Sequence, residues 1–167
     1  IDFGRDQITI LRSRLERAPR GFRTIPVKMR DGLLMAEVRV GAMRVNAIID
    51  TGAQMTIANL AFREALARRR RAGEFTSTDI IGTTLDVQRG DLVSAPTISF
   101  GPMEIRRARI ITGDVHIFHH WKMTERPVLL IGMDVLGQFD ILIIDYRRKE
   151  LHVRMRGRVS PSRVGLS

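Results

Sequence analysis

The chain has 167 residues, of which 44% are apolar, and it carries a formal net charge of +10 at neutral pH. Its length fits one domain that can bury a substantial core. It contains no cysteine, which excludes disulfides and thiolate metal sites, and it has no apolar run long enough to cross a membrane as a helix.

Three segments differ in composition. Residues 1–23 are polar and basic and are interpreted as a linker or docking segment, while residues 24–156 are interpreted as the folded domain. Residues 157–167, rich in Arg, Ser, Pro and Gly, are predicted to form a flexible basic tail. Within the first segment, spaced apolar residues predict one face of a short helix: Ile8, Ile10, Leu11 and Leu15.

The first strands of the domain are expected to deliver a carboxylate. Apolar and polar residues alternate through 33–40, residues 41–43 form a glycine turn, and residues 44–50 return, which predicts a hairpin ending in Asp50, Thr51, Gly52 and Ala53. The strand would fix the backbone of Asp50, and Gly52 would let the chain turn sharply because it has no Cβ. Thr51 offers a hydroxyl that can form a hydrogen bond to the backbone of a second, symmetry-related chain.

A helix is predicted over residues 59–72, with Asn59 as its N-cap and Gly73 at its end. Its apolar residues are expected to face inward: Leu60, Phe62, Ala65 and Leu66. The arginine run at 68–71 has two interpretations, a patch for nucleic acid or anionic membrane, or a solvated helix end. The second is favoured because no aromatic residues interleave with the run.

Residues 76–95 are predicted to form another hairpin. Its two strands are expected to flank residues 80–87. Two alternatives stay open at this point: an ordinary solvent-exposed hairpin, and a turn placed at 86–91 instead.

The rest of the domain is predicted as a hairpin over 96–112, a surface loop over 113–127, and a final pair of strands. The loop holds His116, His119, His120 and Trp121, but no Cys or carboxylate completes a familiar zinc spacing, so no metal site is expected. After it, the apolar stretch 128–131 leads into Gly132 and Asp134, where residues 132–136 predict a short helix. Strands are predicted over 139–145 and 150–155.

The Asp-Thr-Gly triplet occurs only once in the sequence. Two carboxylates about 3 Å apart cannot both ionise, so they share a proton and can act as acid and base together. A single copy can supply such a pair only if a second chain brings its own Asp50. The sequence therefore predicts a two-fold homodimer with the site on the axis.

The chain resembles the retropepsin-like aspartic proteases, and among them the bacterial single-domain members. Two stretches carry the resemblance: residues 48–53 (Ile-Ile-Asp-Thr-Gly-Ala) and residues 130–136 (Leu-Ile-Gly-Met-Asp-Val-Leu). The resemblance implies a mostly β half-barrel with one inserted helix and a short helix in the C-terminal half. It places the second signature (Ile131, Gly132, Asp134) beneath the catalytic loop of Asp50.

The same resemblance implies a flap, a mobile hairpin closing over the substrate, formed around Ile81, Gly82, Thr83 and Thr84. One departure is visible. Retroviral members usually carry a paired Asp and Arg where this chain has Gln54 and Met133, so both charges are missing together.

The leading functional hypothesis is an aspartic endopeptidase that needs neither metal nor cofactor. Its expected partners are a second copy of itself and a protein or peptide substrate, with nucleic acid not expected. Apolar residues are expected to line its subsites: Ile57, Leu85, Val87 and Leu130. Two other hypotheses are a catalytically silent dimer of the same fold that binds extended peptides, and a basic domain that binds RNA or membrane.

The compartment is inferred from what the sequence lacks. Because it begins at Ile1 and has no cysteine, we expect a processed product acting in the periplasm or near a membrane after loss of a signal or anchor. A cytoplasmic regulatory protease fits nearly as well.

Overall fold

A computed structural model describes residues 1–13, 20–69, 76–81, 87–101 and 103–156. Within these residues the strands are β1 Arg23–Arg30, β2 Leu33–Val40, β3 Met43–Ile49, β4 Ile57–Ala58, β5 Thr76–Ile81, β6 Val87–Ser94, β7 Ile98–Phe100, β8 Met103–Ile105, β9 Arg109–Thr112, β10 Val128–Ile131, β11 Phe139–Asp145 and β12 Glu150–Met155. The helices are α1 Leu60–Arg68, α2 His116–His120 and α3 Met133–Leu136. The fold is mostly β, as predicted.

The twelve described strands belong to one hydrogen-bonded sheet. Its order is β11-β12-β1-β2-β3-β10-β4-β9-β6-β5, and β7 branches from β2 and pairs with β8. The predicted hairpins are present as β2–β3, β5–β6, β7–β8 and β11–β12. The strand β10 lies between β3 and β4, parallel to the first and antiparallel to the second. This arrangement brings the ends of β3 and β10 and the start of β4 to one place.

Strand alternation divides the apolar side chains between two clusters. Val45, Ala47 and Ile49 of β3 belong to the main core, which also contains the fully buried Phe62, Phe100, Phe139 and Leu142. Ile48 faces the opposite side and belongs to a second apolar cluster, formed by Met35, Ile48, Phe118, Met123, Val128 and Leu130. Each large side chain buried in this way stabilises the fold by roughly 1.5–3 kcal/mol relative to exposure.

Helix α1 begins as predicted. Asn59 is its N-cap, and the Asn59 side-chain oxygen accepts the backbone N–H of Phe62 at 2.9 Å. Phe62, Ala65 and Leu66 are buried, but the prediction for Leu60 is wrong, because this side chain lies on the outer side of the first turn and is 38% exposed.

The arginine run closes helix α1. Arg68 pairs with Glu64 and the guanidinium of Arg69 donates to the Ala65 carbonyl, contacts typical of a solvated helix end. The remaining arginines of the run and Gly73 lie outside the described residues.

The segment 113–127 differs from the surface loop that was predicted. It contains helix α2, and Phe118 and Met123 are buried in the second apolar cluster at 1% and 6% exposure. The Asn59 amide group donates to the carbonyls of Met123 and Arg126 at 2.8 and 2.6 Å. Apolar side chains and one buried amide therefore hold this segment against the sheet.

The N-terminal segment attaches to the edge of the sheet. The Leu142 N–H donates to the Ile1 carbonyl and the Phe3 N–H to the Asp140 carbonyl, both at 2.9 Å, so the first residues extend the sheet beyond β11. Ile1 and Phe3 pack against the main core. No helix forms over residues 8–13, so that prediction is wrong for these residues; an isolated segment this short cannot repay helix nucleation without a packing surface.

Three apolar side chains of the N-terminal segment stay solvent-exposed: Ile8, Ile10 and Leu11. Leu15 and the tail 157–167 lie outside the described residues, and the division into linker, domain and tail stays a prediction. Among the described helices, none has the length and apolar character that a membrane crossing requires.

Asp145, at the end of β11, fixes the far end of the N-terminal segment. The Ser13 hydroxyl donates to both Asp145 carboxylate oxygens at 2.9 Å. Desolvation raises the pKa of Asp145, but hydrogen bonds from the Arg148 amide, the Ser13 hydroxyl and the Arg147 amide outweigh it and hold the pKa below its usual value.

Candidate active site

Asp50 directly follows β3, where its backbone is fixed by the neighbouring parallel strand. The Asp50 N–H donates to the Ile131 carbonyl at 3.0 Å. The Asp50 carboxylate accepts the Gly52 N–H at 2.9 Å through Oδ1. Asp50 is half-buried and Thr51 and Gly52 are exposed, so a positioned carboxylate faces solvent.

The loop after Asp50 lies on the second signature, as the resemblance implied. The Met133 N–H donates to the Ala53 carbonyl at 2.8 Å, and the Asp134 N–H donates to the Gln54 carbonyl at 3.0 Å. A Cβ on Gly132 would lie 2.7 Å from the carbonyl carbon and oxygen of Met55. The close approach of the two motifs therefore requires glycine at position 132.

Thr56 is the site residue that the sequence reasoning missed. It is fully buried, it accepts the Gly132 N–H at 3.1 Å, and its hydroxyl donates to Asp134 Oδ1 at 2.7 Å. The second of these bonds spans 78 positions in the chain. The one available signal was a hydroxyl residue directly before the short apolar pair that became β4.

The uncharged pair noted in the sequence, Gln54 and Met133, contributes backbone contacts here. Gln54 is exposed, and Met133 packs against the main core. The loop of Asp50 is therefore held by backbone hydrogen bonds and by Thr56 with Asp134, where retroviral relatives were expected to use an ion pair.

Of the flap candidates, only Ile81 falls within the described residues. It is the last residue of β5 and stands opposite Val87. Gly82, Thr83 and Thr84 lie outside the described residues, as does Leu85. The alternative turn at 86–91 is wrong, because residues 87–94 form β6 and Asp91 pairs with both Ser77 and Thr112.

Two predicted subsite residues can be placed beside the loop. Ile57 is half-buried against the second apolar cluster, so part of its surface can meet a substrate. Leu130 belongs to the same cluster and is only 5% exposed, because Phe118 and Met123 fill the space around it. Trp121 is half-buried and lies edge-on to Phe118 at 6.5 Å between ring centroids.

The histidines of α2 do not form a metal centre within the residues that the structure describes, where no group of three or more ligand-type side chains converges. His119 contacts the carboxylate of Asp114. A cavity of about 200 Å³ beside this pair is lined by Asn59 and Leu60 at the start of α1, by residues 113–115, by Phe118 and His119 of α2, and by Thr124.

The sequence matches the family model described as Aspartyl protease over residues 35–135, which is more than half of the chain. The chain belongs to this family, and it has the fold of a retropepsin-like protease.

Among solved structures, the chain is similar to a retropepsin-like aspartic protease from Rickettsia conorii, with 16% sequence identity and a TM-score of 0.53. The match covers 79% of this chain and 93% of the other. At this identity the likeness establishes the fold. A search of curated proteins found no match.

Proposed function

We propose that the protein is an aspartic endopeptidase whose catalytic pair consists of Asp50 from each of two subunits. The observation that carries the proposal is the anchoring of Asp50. Its backbone is bonded to Ile131 and its Oδ1 to the Gly52 amide, while the carboxylate remains accessible to solvent. Family membership supports the same activity.

In the proposed mechanism, the two carboxyl groups hold one proton between them. The ionised Asp50 takes a proton from a water molecule, whose oxygen attacks the scissile carbonyl carbon, while the protonated Asp50 gives its proton to the carbonyl oxygen. The resulting gem-diol returns one hydroxyl proton to a carboxylate. The amide nitrogen receives a proton from the other carboxyl, and the C–N bond breaks. The pair ends with one proton, as it began.

The geometry of the loop supports these roles. The exposed Thr51 and Gly52 leave room for an extended peptide beside Asp50, and the half-buried Ile57 offers an apolar contact to a neighbouring substrate side chain. Cleavage is expected to be favoured at mildly acidic pH, because one carboxyl of the pair must carry a proton.

The decisive experiment measures casein cleavage between pH 4 and 8 for the wild type and for Asp50→Asn, with the oligomeric state recorded in parallel. Asparagine keeps the size of the side chain but cannot exchange a proton. The proposal expects acid-favoured cleavage by a dimer and none by the variant. Equal cleavage by both proteins would refute it.

The rival function is a silent dimer that binds extended peptides. The uncharged side chains of Gln54 and Met133 favour it, because the loop lacks the ion pair expected in active retroviral relatives. This rival expects no cleavage by the wild type and unchanged peptide affinity in Asp50→Asn.

A location in the bacterial periplasm stays a prediction that fractionation of the source cells would test.

A further inference from the structure

We infer that Asp134 is a positioning residue that acts through Thr56 to set the loop carrying Asp50. The inference rests on the proposed function. In this inference, Thr56 and Asp134 together fix the loop. The side chains of Gln54 and Met133 bear no charge and cannot do so through an ion pair.

The first argument is that the Thr56 hydroxyl both accepts and donates a hydrogen bond, each in a fixed direction. Thr56 accepts the Gly132 N–H at 3.1 Å and donates to Asp134 Oδ1 at 2.7 Å, and the same Oδ1 accepts the Val135 N–H at 2.9 Å. A hydroxyl has a single proton. Because that proton points to Asp134, the Thr56 oxygen presents its lone pair to Gly132, and the direction of both bonds is fixed.

The second argument is the role of the Asp134 oxygen. Asp134 Oδ1 already accepts the Val135 N–H, so this oxygen faces Thr56 as an acceptor. The 2.7 Å separation between the Thr56 hydroxyl and Asp134 Oδ1 is the usual length of a well-formed O–H···O hydrogen bond.

The third argument is proximity to the reacting group. Ala53 and Gln54 lie between Asp50 and Thr56 in the chain, and their carbonyls accept the backbone N–H groups of Met133 and Asp134. Hydrogen bonds therefore fix the loop along its length from Asp50 to Thr56. Thr56 is fully buried, so water does not substitute for its partners. A displacement of about 1 Å at a catalytic group can lower the rate by about 100-fold.

The test compares Thr56→Val with Thr56→Ser, measuring kcat and KM on a peptide identified from the casein digest. Valine has nearly the shape of threonine but no hydroxyl, whereas serine keeps it. Thr56→Val is expected to lower kcat by about 10- to 100-fold with KM within about twofold of the wild type. Thr56→Ser is expected to retain most of the activity. Equal losses in both variants, or a loss confined to KM, would overturn the inference.

Asp134 is tested by the same logic. Asp134→Asn keeps an oxygen that can accept from Thr56, while Asp134→Ala removes it. The alanine variant is expected to show the low kcat of Thr56→Val and the asparagine variant an intermediate value. A double variant should lose no more than either single one, because both remove the same connection.

Thr112→Val is the matched control. Thr112 is also buried, at 1% exposure, and its hydroxyl donates to the Asp91 carbonyl at 3.1 Å, away from the loop of Asp50. It is expected to reduce stability, though less than Thr56→Val does because only one hydrogen bond is lost, while leaving kcat unchanged. An equal loss of kcat in the control would mean that any buried hydroxyl has this effect, and the inference would fall.

A readout independent of activity separates this inference from the proposed function. Amide hydrogen exchange at Gly132 is expected to be about 10-fold faster in Thr56→Val than in the wild type and in Thr56→Ser, because this N–H loses its acceptor. If the wild type cleaves nothing, the exchange result still decides whether the connection exists. Unchanged exchange would overturn it. If Thr56→Val does not fold, the Asp134→Asn and Asp134→Ala pair is measured instead.

Discussion

Two irregular segments of the molecule are held in place in different ways. The loop over residues 50–56 is joined to residues 131–135 by backbone bonds and by one buried hydroxyl. The segment over residues 1–13 is joined to β11 mainly along one strand edge, and its apolar residues Ile8, Ile10 and Leu11 stay exposed. The absence of secondary structure therefore does not mean the absence of order: what matters is how many fixed partners the segment has.

The loop should be the more sensitive of the two. Gly132→Ala is expected to destabilise the protein by about 3 kcal/mol or more, because its Cβ would lie 2.7 Å from the Met55 carbonyl group and the backbone would have to move. Activity should fall with it. Thermal unfolding and casein cleavage check both effects.

Gly21→Ala is the control for this change. Gly21 has a φ of +87° and open space around the position of a Cβ, so only the conformational cost of about 1 kcal/mol is expected. If the two variants were equally stable, the close approach of the Asp50 loop to the second signature would contribute nothing to the cost of the Gly132→Ala substitution.

The segment 113–127 stands between the two extremes, because buried apolar side chains hold it and one buried side chain, Asn59, donates two hydrogen bonds to it. Asn59→Ala is expected to lower the free energy of unfolding by about 2 kcal/mol, through loss of the α1 cap and of the donors to Met123 and Arg126. Denaturant unfolding measures this. Asn59→Asp keeps the cap but not the donors, and a stability equal to the wild type would show that those donors contribute nothing.

A substitution in the N-terminal segment should lower the free energy of unfolding by less. Phe3→Ala is expected to reduce stability by about 1 kcal/mol, because Phe3 is only partly buried against the main core. Casein cleavage per folded molecule should be unchanged. A loss of activity would show that this segment reaches the site, and the contrast with the loop would fail.

The smallest expected effect depends on pH. The pKa of Asp145 is lowered in the folded protein, so its contribution to stability is complete above the unfolded pKa of about 3.9 and disappears as pH falls through the folded value. Asp145→Asn should therefore be slightly less stable than the wild type at pH 7, with the difference vanishing in acid. Ser13→Ala should show part of the same pH dependence. A difference that grew in acid would have the wrong sign.

Local patterns in the sequence predicted much of this fold. Alternation over 33–40 and the glycine turn after it predicted the hairpin that carries Asp50, Asn59 marked the start of α1, and the Gly132 to Leu136 pattern marked α3. The predictions failed where distant residues decide the structure. Helix α2 is five residues long and depends on the burial of Phe118, and residues 8–13 found no surface on which a helix could pack.

The same reason explains the incomplete prediction of the site. The Asp50 loop and the second signature were identified by their motifs, but Thr56 was not, because its partners lie near residue 132 and the register of β4 on β10 cannot be seen in one sequence. Once the register is known, each buried polar group can be matched. No described buried side-chain polar atom lacks a hydrogen-bond partner.

The position of β10 between β3 and β4 also has a consequence for biosynthesis. A nascent chain that has emerged only as far as residue 127 contains Asp50 but not the strand whose Ile131 carbonyl fixes it. Pairings between residues so far apart in sequence form late during folding. The loop that carries Asp50 is therefore completed only after residues 128–131 have been synthesised, so a shorter nascent chain lacks the proposed site.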